Sequence, residues 1–165
     1  MVNRLIGVRL LITFSPRGAN AEMIKYLKML EGQTCTWPGV SAHAHRFGGR
    51  VFRLGRSEVG HVHNDGAVEI PMTPSFRDEL LAEGLAEKHR TQPNSGWISF
   101  HVRNEKDVEH AAWLLRLSYL RFALKGVPDP AKRFEQESDR LRLSPRIKAV
   151  LERFVPERGR QEQAA

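Results

Sequence analysis

Between Val40 and Pro71 apolar and polar residues alternate in short runs broken by glycine-rich turns, the pattern of an antiparallel sheet. Strands are predicted over Val40–Phe47, Arg50–Leu54, Glu58–His63 and Ala67–Pro71, turning at Gly48-Gly49 and Asn64-Asp65-Gly66. A second hairpin follows, with Ala86–Gln92 and Trp97–Arg103 flanking the turn Pro93–Gly96. Helical periodicity appears elsewhere. Asn20 suits the cap of a helix from about Ala21 to Glu31, with Met23, Ile24, Leu27 and Leu30 as its buried stripe and Gly32 as its stop. Thr73-Pro74 starts a helix over Ser75–Glu83, and Asn104 opens the longest one, to about Leu124. Asp129-Pro130 and Ser144-Pro145 start two more, ending near Leu141 and Phe154. The fold expected is α+β: about six antiparallel strands with helices packed on one face, plus C-terminal helices.

The Asn64–Gly66 turn sets a register that sorts side chains by chemistry. A three-residue loop with Gly66 in the left-handed region pairs His63 with Ala67, Val62 with Val68 and His61 with Glu69. Successive strand residues point to opposite faces, so Val62, Val68 and Ile70 share one face. His61, His63 and Glu69 then share the other. A two-residue loop would mix the two sets, and burial of one face selects the first pairing.

Two imidazoles and a carboxylate in one patch suit acid–base chemistry, and they suit a divalent metal. Histidines two apart on a strand stand about 7 Å from each other, which a facing carboxylate can bridge. His61, His63 and Glu69 are therefore the candidate catalytic residues and the candidate metal ligands. They would equally serve as a solvated sheet face whose members hydrogen-bond one another. His45, Arg53, Trp97, Ser99 and His101 are candidate ligand-binding residues, Trp97, Ser99 and His101 because alternation gives them a common face. If the strand order sets His101 beside His61 or His63, a cluster of four histidines results. Trp97 would offer a flat surface to a planar ligand.

Composition narrows the classes. The 165 residues suit one soluble domain, and the lone Cys35 excludes an internal disulfide framework. The net charge of +7 invites a nucleic-acid reading. However, residues 21–124 carry 13 basic and 12 acidic groups, and the excess lies in the ends. A nucleic-acid partner is thus expected only through basic termini, or through those termini with the open sheet face. A nucleic-acid- or protein-binding module is the alternative to a small-molecule-binding domain, which is the first reading, with or without catalysis. Residues 1–20 read as a loosely held leader; Arg9 interrupts its apolar run, so a secretory signal is not expected and the location expected is cytoplasmic. That run is too short to span a bilayer, so no membrane partner is expected. The remaining divisions are a core over 21–124, a helical extension over 125–155 and a disordered tail over 156–165.

The runs HRFGG (His45–Gly49), FRLG, EVGHVHNDG, VEIP, RDELLAEGLAEKH, SGWISF and LLRLSY resemble the family called "luciferase domain", over about residues 37–124. The label implies light emission, whereas the residues themselves point to the histidine–carboxylate patch. A more distant likeness, carried by His89, Ser95–Trp97 and Ser118-Tyr119, is to the MmcQ/YjbR family of DNA-binding proteins. It implies an antiparallel sheet with helices on one face and the other face partly open.

Overall fold

A computed structural model describes residues 16–157. The expected leader up to residue 15 and the expected tail from residue 158 lie outside the described residues. Six strands form one antiparallel sheet in the order β1-β2-β3-β4-β6-β5. They are β1 (Val40–Ala44), β2 (Arg50–Leu54), β3 (Ser57–Val62), β4 (Ala67–Ile70), β5 (Glu87–Lys88) and β6 (Ile98–His101). Helix α1 (Pro16–Thr34) precedes the sheet, α2 (Pro74–Ala82) joins β4 to β5, and α3 (Glu105–Ala123) follows β6. A 3-10 turn over Leu124–Gly126 leads to α4 (Pro130–Arg140) and α5 (Pro145–Glu152). The α+β architecture is as expected.

Helix starts follow their cap residues. Thr73 Oγ1 accepts from the Phe76 amide at 3.3 Å, Asn104 Oδ1 from Asp107 at 3.1 Å, Asp129 Oδ1 from Lys132 at 2.9 Å and Ser144 Oγ from Ile147 at 3.2 Å. Asp107 Oδ2 in turn accepts from the Asn104 side-chain amide at 3.0 Å and from the Arg103 backbone N–H at 2.8 Å. The first helix departs from expectation at both ends. It begins at Pro16, a residue suited to a first helical turn, so Asn20 lies inside it and caps nothing. Gly32 does not stop it; the chain stays helical to Thr34, whose hydroxyl donates to the Leu30 carbonyl at 2.7 Å. Ile24 is 46% exposed and leaves the stripe, while Tyr26 and Met29 join Leu27 and Leu30 against the core.

The core lies between the sheet and α3. Phe52, Val59, Val62, Val68, Ile70 and Ile98 meet Val108, Ala111, Leu114, Leu115 and Leu120 with no residue more than 1% exposed. Gly60 admits the helix this close: a Cβ there would sit 2.5 Å from Leu115 Cδ2. The C-terminal helices dock through charge as well as apolar packing. Buried Arg116 of α3 donates to buried Glu137 of α4 at 2.6 Å, and Arg133 and Arg140 close on the same carboxylate at 2.8 and 2.9 Å. These helices lie on the core side, α5 against α2 and α3, and α4 against the 3-10 turn.

Candidate functional site

The β3–β4 hairpin has the register expected of it. His61 pairs with Glu69 and Val62 with Val68, the His63 amide donates to the Ala67 carbonyl at 2.8 Å, and Gly66 has φ 93°. Val62, Val68 and Ile70 are fully buried on the core side, and His61, His63 and Glu69 meet on the other. There they line a cavity of about 640 Å³, with His45, Phe47, Arg53, Glu58, His89 and Trp97 in its walls.

Glu69 is the hub. Its Oε2 accepts from His61 Nε2 at 2.9 Å and from His63 Nε2 at 3.3 Å, and its Oε1 lies 3.2 Å from His89 Nε2. His89 Nδ1 accepts the Gln92 backbone N–H at 3.1 Å, which puts the proton of the neutral ring on Nε2, toward Glu69. His61 is held on both sides, because its Nδ1 donates to Glu58 Oε1 at 2.6 Å. Two carboxylates accepting from one imidazole hold it as the imidazolium. Burial disfavours that charge, but the bonds to Glu58 and Glu69 outweigh it and raise the His61 pKa above the ordinary value. The same contacts hold both acids low: the His61 bond lowers Glu58, and for Glu69 the upward push of burial is overcome by His61 and His63. His45 goes the other way. Burial, reinforced by the charges of His61 and His63, lowers its pKa.

Glu58 and His89 were not among the site residues expected. Residues three apart on a regular strand face opposite ways, yet the β2–β3 register pairs Phe52 with Gly60 and Arg53 with Glu58. The extra residue, Val59, is a bulge that turns into the core and returns Glu58 to the face of His61. A glycine inside a strand, here Gly60, is the sequence signal for such a bulge.

Trp97 stands 5.6 Å from the His61 ring and 5.8 Å from the His89 ring, between centroids. Strand β1 ends at Ala44 rather than running to Phe47, since Gly48 and Gly49 both take positive φ and open the turn early. His45 therefore sits in the loop, stacked on His61 at 4.3 Å. Ser99 pairs with Glu69 on the same face, but its hydroxyl is buried without a partner and does not line the cavity. His101 pairs with Ala67, so β4 separates it from the β3 histidines and the four-histidine cluster drawn with it does not form. His43, on edge strand β1, bonds Ser41 at 2.9 Å. The rings that do gather are His45, His61, His63 and His89.

Donor atoms of His45, His61 and His63 lie within 4.8 Å of one another, and Glu69 Oε2 lies closer still to His61 and His63. Residues 56–118 match the family model described as "Luciferase domain". The Luciferase domain match spans β3 through most of α3 and so includes Glu58, His61, His63, Glu69, His89 and Trp97, while His45 and Arg53 precede it. No curated protein and no solved structure matches the chain. Among the described residues no helix is long and apolar enough to cross a membrane.

Proposed function

We propose that this protein is a small-molecule-binding domain whose cavity transfers a proton to or from its ligand. The observation that supports it is one carboxylate, Glu69, shared by three imidazoles at the floor of an open cavity. His61, held between two carboxylates, and the less buried His63 place two imidazoles side by side for proton exchange. Trp97 provides a flat apolar wall, and Arg53 and His45 stand where a ligand's polar edge would lie.

A nuclear magnetic resonance screen with planar organic acids and their neutral amides tests the reading. Bound fragments should shift the Trp97 indole and His63 ring signals, and those shifts should vanish in Trp97→Ala. Fragments that bind only elsewhere, such as the groove between His110 and Trp113, would overturn it.

A further inference from the structure

We propose that the same cavity holds one divalent cation of the zinc class, ligated by His61 Nε2, His63 Nε2 and Glu69 Oε2, with a fourth position facing the cavity. The inference rests on this cavity being the functional site; the ion would occupy the His61 and His63 nitrogens in place of protons, so a ligand would meet the metal and not those imidazoles.

One carboxylate oxygen already draws in two imidazoles. His61 Nε2 and His63 Nε2 stand 2.9 and 3.3 Å from one oxygen, Glu69 Oε2. Ligands of a tetrahedral zinc ion with bonds of ~2.0–2.1 Å lie ~3.3–3.4 Å apart, close to both of these separations. The His61 and His63 rings are nearly perpendicular, at 89°, and two rings so disposed can aim their in-plane lone pairs at one point.

His45 is the competing third ligand, because its donor atom is also near. Its ring is stacked on His61 at an interplanar angle of 11°. A nitrogen lone pair lies in the plane of its ring, so two stacked imidazoles direct theirs along parallel planes and not at a common ion. Glu69 is therefore the third ligand, and His45 is a packing neighbour.

The surroundings match what a metal site requires of its supports. Glu58 accepts from His61 Nδ1 at 2.6 Å, which fixes the tautomer and turns Nε2 to the ion. His89 Nε2 lies 3.2 Å from the other oxygen of Glu69 and restrains the carboxylate. All three ligands come from one rigid hairpin, β3–β4. Three protein ligands and an open fourth position is the arrangement of catalytic rather than structural zinc. The chemistry balances when both protons are followed: the Nε2–H bonds of His61 and His63 break, each electron pair binds the cation, the His61 proton leaves to solvent, and the His63 proton leaves to solvent or is replaced by one on Nδ1.

The test is titration of untagged full-length protein, stripped with chelator, with Co²⁺ alone and then Zn²⁺. Expected are one Co²⁺ per chain, the intense visible absorption of a four-coordinate site, displacement by Zn²⁺, and proton release in weak buffer. Glu69→Gln and His63→Ala should abolish the absorption; Glu58→Gln should weaken affinity about tenfold to hundredfold and keep the spectrum. His45→Ala should leave the spectrum unchanged. Melting curves of the metal-free variants identify any that fail to fold, and the wild-type stoichiometry and proton release do not depend on them. Absence of stoichiometric binding, or binding that survives Glu69→Gln and disappears in His45→Ala, overturns the proposal. Organic fragments that bind a protein taking no metal would remove this inference alone. Metal uptake without any fragment binding would remove the small-molecule reading alone.

Discussion

Glu58 and His61 are three residues apart on one strand, yet their side chains meet on one face at 2.6 Å. The bulge at Val59 makes the contact possible, and the contact holds His61 charged. Glu58→Gln should therefore lower the His61 pKa and cost about 1 kcal/mol of stability at neutral pH, as for other hydrogen bonds to charged groups with partial exposure. Urea denaturation of the two proteins measures the difference.

The histidines should titrate in a set order in the metal-free protein. With its pKa raised by two carboxylates, His61 keeps its proton to higher pH than an ordinary histidine. With its pKa lowered by burial and by neighbouring charge, His45 loses its proton before His61 does. Ring signals followed across pH 5–9 would show this sequence, and the reverse order would contradict the clamp.

Glu137 should govern much of the acid sensitivity of the fold. Burial pushes its carboxyl up, but Arg116 and Arg140 more than reverse this, and its folded pKa is depressed. A depressed carboxyl contributes stability that is present above its unfolded value, about 4.3, and lost as pH falls through the folded value. Glu137→Gln should cost about 3 kcal/mol near neutral pH, because buried Arg116 is left without its counter-charge. It should also flatten the dependence of stability on pH below about 4.3. Denaturation at a series of pH values reads both effects.

Gly60→Ala should cost about 1–3 kcal/mol, since the new methyl would stand 2.5 Å from Leu115 Cδ2. Leu115→Ala alone empties core volume and costs about 2–4 kcal/mol. Because the two changes share one space, the double variant should lose less than the sum of the two, which a double-mutant cycle will show.

The parts of this site that were legible are those where a local rule and a tertiary demand agree. Gly66 supplies the positive φ of a three-residue turn, the turn sets the register, and burial of Val62, Val68 and Ile70 confirms it. Helix starts at Thr73, Asn104, Asp129 and Ser144 were legible for the same reason, as a short polar side chain satisfies an amide in its own turn. What escaped reading depends on non-local pairing. Glu58 joins the site through an extra residue whose place only the β2 partner defines. The exclusion of His101 follows from β4 lying between β3 and β6, an order that no residue near His101 encodes. Ile24 obeys helical periodicity but lies where α1 has no neighbour to cover it.

Strand β5 is two residues long and is joined to the sheet through Glu87–Ser99 and Lys88–Ile98 alone. Next along the chain come His89, Thr91 and Gln92, one whole wall of the cavity. A flap tied down by so few backbone bonds peels away at a lower free energy than the longer strands beside it. Amide protons of residues 87–92 should thus exchange with solvent sooner than those of β3 and β4, so that this wall of the cavity loosens before its floor does.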